Sequence, residues 1–75
     1  MPKFEQKSIE HFFKKYKITD PDKKAKLLPE ITDIIYDYNM LIVKYQQEED
    51  DYKKKQYERD IKELEDKINR ILKEF

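Results

Sequence analysis

The stretch from Glu30 to Gln47, EITDIIYDYNMLIVKYQQ, decides how this 75-residue chain is read. Ile31, Ile34, Ile35, Tyr38, Leu41, Ile42 and Tyr45 recur at helical spacing and form one broad apolar stripe, so one face of a helix is buried. At about 100° per residue, Tyr36, Met40 and Val43 make a second apolar strip set apart from the first, while Asp33, Asp37 and Lys44 share the polar side. A helix with two apolar strips has two neighbours. The pattern predicts the chain's own beginning against the first strip, and its end, or a copy of it, against the second.

Downstream, Tyr57, Ile61, Leu64, Ile68, Ile71, Leu72 and Phe75 form the narrow seam that coiled coils use. Carried backwards through Lys54, Asp50, Gln47, Val43 and Met40 to Tyr36, the alternation of four and three is unbroken, so strip and seam share one register. Between them lies QQEEDDYKKKQ, residues 46–56, and two chain paths are open there. A continuous helix over residues 30–75 gains three acid-before-base pairs at i, i+4 (Glu49 with Lys53, Asp50 with Lys54, Asp51 with Lys55), each contributing about 0.2–0.5 kcal/mol. No Gly, Pro, Ser or Asn interrupts residues 40–68. A turn near residues 48–51 instead has Asp50 or Asp51 as a helix cap and relieves the four acids that oppose the dipole of the preceding helix. The pairs tip the balance to continuity. A helix that long needs a second chain, and an antiparallel homodimer sets Asp50 against Lys54 of the other copy, Val43 against Ile61, Met40 against Leu64 and Tyr36 against Ile68. The hairpin alternative brings Val43 near Tyr57 and Met40 near Ile61.

Towards the N-terminus, Ile9, Phe12, Phe13 and Tyr16 repeat at i, i+3, i+4, i+7, predicting a helix from about Phe4 or Ser8 to Lys17 that packs on the Ile31–Tyr45 stripe. Thr19 or Asp20 can cap a short helix over residues 21–28, with Pro21 at its first position, before Pro29 kinks the chain or starts a new helix. Without glycine, tight β-hairpin turns are poorly served. The fold expected is all-α: one small domain over residues 1–75, an N-terminal helix packed on a long C-terminal helical segment. That segment is either one helix in an antiparallel dimer or closed as a three-helix hairpin or bundle.

Composition narrows the function. A core this small supplies about 3–5 kcal/mol unless a disulfide, a metal or another subunit adds to it. There is no cysteine, and His11 is the single histidine, so neither a disulfide nor a zinc centre is expected. Catalysis needs a nucleophile with its base, a metal cage or a phosphate cradle; Ser8 and His11 lack an obvious orienting carboxylate and read as a helix cap and a rim residue. No cofactor and no enzyme activity are expected. The acids Glu48 to Asp51 point around a helix rather than into the bent loop that calcium requires. The longest apolar run, Met40 to Val43, is far short of the ~20 residues of a membrane span. MPKFEQKS carries no signal-peptide stretch, which suits a cytoplasmic protein.

Formal charge is zero overall, with 17 basic and 17 acidic residues, but uneven. Residues 1–28 hold eight bases and four acids, residues 29–51 one base and seven acids, residues 52–75 eight bases and six acids. Long-range attraction to DNA is therefore absent for the whole molecule, although the lysines of residues 14–26 could bind nucleic acid locally. Asp33 and Asp37 stand where a recognition helix would need bases or amides. Six tyrosines are many for a small core, and Tyr36, Tyr45, Tyr52 and Tyr57 are candidate partner contacts. The expected function is a non-catalytic protein-interaction module, a small regulator, inhibitor or adaptor, working as a homodimer with a protein partner. Its lysine-rich, arginine-poor composition suits a phage or other mobile element. A small nucleic-acid-binding regulator and a purely structural coiled-coil element are the alternatives.

Overall fold

The computed structural model describes residues 4–74 as three helices, with no β-strand among them. Helix α1 spans Ile9–Lys15, α2 Pro21–Gln47 and α3 Asp51–Glu74. Helices α2 and α3 form a long antiparallel hairpin, and residues 4–16 lie along one side of it. The all-α fold follows the expected pattern in its closed form, and Phe75, the last seam residue, lies outside the described residues.

Residues 4–8 are non-helical, so α1 begins at its cap rather than near Phe4. The Ser8 hydroxyl accepts the His11 N–H at 3.2 Å, satisfying one of the donors a helix start leaves over. Ser8 and His11 thus meet through the His11 backbone, and the imidazole stays exposed, edge-on to Phe12. At the other end, Lys17 adopts a left-handed φ of 55°. Its N–H bonds the Lys14 carbonyl and the Ile18 N–H reaches back to the Phe13 carbonyl at 2.9 Å, the paired closure usually built around glycine. Ile18 then packs towards the core beside Phe13. Lysine takes this geometry at a cost of about 1–2 kcal/mol.

Helix α2 starts as expected, with Asp20 accepting the Asp22 N–H at 3.0 Å and Pro21 in the first turn. The separate helix over residues 21–28 is not found, because α2 runs unbroken through Pro29. Pro29 removes the donor that would bond the Ala25 carbonyl, yet both residues lie on the exposed side, where water can serve that carbonyl. Leu27 and Ile31, one turn apart across the proline, are both fully buried and hold the two segments in one line.

The continuous helix through residues 48–51 gives way to a turn. Glu48 ends α2 in an extended conformation, and its carboxylate accepts the Asp50 N–H at 3.2 Å. Asp50 then caps α3, taking the Tyr52 N–H on its side chain and the Lys54 N–H on its carbonyl, both at 3.0 Å. Two of the three charge pairs cross this turn, together about 1 kcal/mol at most, and one cap recovers a similar amount. Closure decides the balance: it buries Ile61, Ile68 and Leu72 within one chain, each contributing about 1.5–3 kcal/mol, without the entropy cost of recruiting a second copy. Asp50 is a helix cap here, and Lys54 lies over the Tyr45 ring, 6.0 Å from its centroid.

The core is Phe12 and Phe13 from α1, Leu27, Ile31, Ile35, Tyr38 and Ile42 from α2, and Ile61, Ile68 and Leu72 from α3. Two hydrogen bonds of 3.0 Å set the hairpin register, Tyr45 to Glu58 and, seven residues along each helix, Tyr38 to Glu65. The same register brings Ile42 level with Ile61, Ile35 with Ile68 and Ile31 with Leu72. The broad stripe of α2 is therefore shared between α1 and α3, while of the second strip Tyr36 is exposed and Met40 stands on a rim shared with Leu64 of α3. In this register Val43 lies level with Asp60 and Met40 with Glu63, so the hairpin pairings expected with Tyr57 and Ile61 are shifted by three and two residues. A stripe wider than about 100° already seats two neighbours, so α3 has no need to reach the far side of α2.

Candidate groove between α2 and α3

Two packed helices leave a groove on each side of their contact line. One of these grooves is filled by residues 4–16. Phe4 stands edge-on to Tyr45 with ring centroids 5.2 Å apart, and its carbonyl accepts from Gln46. Lys7 is held at both ends of its peptide unit, its N–H donating to Asn39 Oδ1 at 2.9 Å and its carbonyl accepting from Asn39 Nδ2 at 2.8 Å. The Lys7 ammonium approaches Glu65 at 3.8 Å, and Phe12 packs edge-on against Tyr38. Burial, the Glu65 carboxylate and the hydrogen bond to it push the Tyr38 phenol well above its ordinary range near 10. The bond to Glu58, with lesser burial and charge effects, raises Tyr45 as well.

The opposite groove is open. Asp37, Met40, Leu41 and Lys44 of α2 and Asp60, Glu63 and Leu64 of α3 line a hollow of about 370 Å³. Leu41 and Leu64 are half-buried against the core and form its floor, and seven residues along each helix Ile34 and Ile71 repeat that half-buried pair. Met40 is 40% exposed on the rim, and Tyr36, 64% exposed, extends the apolar surface round the outer side of α2. Three carboxylates and one ammonium border it. Among the described residues, no three His, Cys, Asp or Glu side chains come together to hold a metal ion. Nor is any helix long and apolar enough to cross a membrane.

The seam residues therefore divide. Ile61 and Ile68 are fully buried, while Leu64, Ile71 and Tyr57 are half-buried towards the open side of α3. Val43 is half-buried on α2, Asp50 and Lys54 belong to the turn, and Tyr52, 70% exposed, stands on the first turn of α3. Tyr45, expected as a free contact, is engaged by Phe4, Lys54 and Glu58. Sequence reasoning missed Asp37, Leu41, Lys44, Asp60 and Glu63 as members of one surface. Leu41 and Leu64 each carried an apolar signal, but their meeting depends on the hairpin register. The lysines of residues 14–26 also partly converge: Lys14, Lys17 and Lys24 border a hollow beside Phe13 and Ile18, where Lys24 lies 3.9 Å from Glu10. No protein family, curated protein or solved structure matches this chain.

Proposed function

We propose that this protein is a non-catalytic binding module, a small cytoplasmic regulator, inhibitor or adaptor that engages another protein through the open face of its helical hairpin. The reading is carried by one observation: an apolar floor of Leu41 and Leu64 is left uncovered beside a core that the chain otherwise closes over. Apolar surface with a charged border is the usual chemistry of such interfaces, with the apolar part supplying affinity and the charges orientation. Ile61 and Ile68 have intramolecular neighbours, so the binding unit closes its seam without requiring a second copy, and the homodimer reading stays open beside it.

A photocrosslinking side chain at Met40 tests this reading. In extract of the source cell it should yield a discrete protein adduct, whereas the same group at Asp66, exposed on α3, should not. Equal labelling from both positions, or none from Met40, removes the reading. Nucleic-acid binding remains the runner-up because Lys14, Lys17 and Lys24 share one hollow. Affinity for duplex DNA that falls steeply with salt would favour it.

A further inference from the structure

We propose that the open groove takes an amphipathic helix of a partner protein whose apolar stripe is flanked by lysine or arginine; this rests on the binding reading above and specifies its occupant. The shape points to a helix. Leu41 and Leu64 floor the hollow. The hairpin register puts half-buried Ile34 and Ile71 on the same side, outside the hollow, seven residues or about 10 Å further along. That spacing matches anchors at i, i+3 or i+4, and i+7. A helix laid there would complete a bundle around α2 and α3.

Charge specifies the flanks. At the Leu41–Leu64 step, Asp37, Asp60 and Glu63 border the groove against Lys44, whereas one heptad on Lys67 and Arg70 take the places of Asp60 and Glu63 on α3. The acidic border therefore belongs to the step nearer the turn, and basic side chains beside the anchor seated there meet opposite charge. The filled groove uses the same chemistry within the chain, with Phe12 and Phe13 as anchors and Lys7 beside Glu65. A second copy docked face to face with its dyad at the Leu41–Leu64 step is the poorer occupant, because that contact sets the three carboxylates against their own copies. The chain's own basic amphipathic helix, α1, is already seated across the hairpin.

The test uses two labelled synthetic helices of about 18 residues, long enough to hold helical structure, with one leucine stripe and either lysine or glutamate flanks. Fluorescence anisotropy with the full chain should show the lysine peptide binding at least about tenfold tighter. Amide shifts should cluster at Asp37, Leu41, Lys44, Asp60 and Leu64. The triple variant Asp37→Lys, Asp60→Lys, Glu63→Lys, its helical content checked by circular dichroism, should reverse the preference. Equal binding of both peptides in the groove overturns the charge assignment but leaves the binding reading intact. No groove shifts with either peptide overturns the occupant, and the Met40 crosslink separately decides the reading. Concentration-dependent doubling of mass that the triple variant abolishes makes the occupant a second copy, and the inference fails.

Discussion

The two grooves of the α2–α3 hairpin are built from the same two helices and differ in what fills them. On one side the chain supplies its own ligand: Phe4, Phe12 and Phe13 as apolar weight, Lys7 as a charge, and the amide of Asn39 to fix the backbone. On the other side Leu41 and Leu64 are only half covered and carboxylates outnumber cations. Stability thus resides in one groove and accessible apolar surface in the other.

The comparison breaks most readily at Phe12. Phe12→Ala is expected to cost about 3–5 kcal/mol, as much as a chain this size has to lose, and should abolish a cooperative thermal transition by circular dichroism. Met40→Lys, on the open side, should stay within about 0.5 kcal/mol of the parent in urea unfolding. A similar loss from both substitutions would mean that the open groove is core. Asn39→Ala removes both hydrogen bonds to Lys7, at about 1–3 kcal/mol, and should raise amide exchange over residues 4–16 before it does so in α3.

Smaller effects sharpen the same contrast. A phenol whose folded-state pKa lies above its unfolded value contributes stability below about pH 10 and loses it as the pH climbs beyond that, because the unfolded chain gives up its proton first. Tyr38→Phe should therefore flatten the alkaline fall in stability between pH 9 and 11.5, read from urea midpoints. The smallest expected effect is a gain: Lys17→Gly should stabilise by about 0.5–1 kcal/mol by relieving the left-handed residue after α1, and an unchanged midpoint would show that lysine bears no strain there.

Much of the fold was legible along the chain because helix periodicity and capping are local properties. The α1 stripe, the Ser8 and Asp20 caps and the seam from Tyr57 to Ile71 were all readable in this way. Pro29 misled because its effect depends on which side of the helix it occupies, and an exposed proline costs less than sequence alone implies. The turn at residues 48–50 misled for a different reason. Charge pairs favouring a continuous helix and a cap favouring a break were nearly equal, so the outcome rested on whether Ile61 and Ile68 were buried by this chain or by another. Tyr36, Met40 and Val43 read as a strip apart from the main stripe, yet Met40 shares a hollow with Leu41, and an apolar strip does not say whether anything covers it.

By itself the order of residues determined that the chain is helical, where α2 begins, and the main apolar side of each helix, since propensity, caps and period act over a few residues; it left the start of α1 open between Phe4 and Ser8. Only tertiary structure decided that the hairpin closes, that one stripe serves two neighbours, and that Leu41 and Leu64 meet on an uncovered acidic border. Those outcomes depend on the register between segments distant along the chain, which burial energy selects and no local pattern contains.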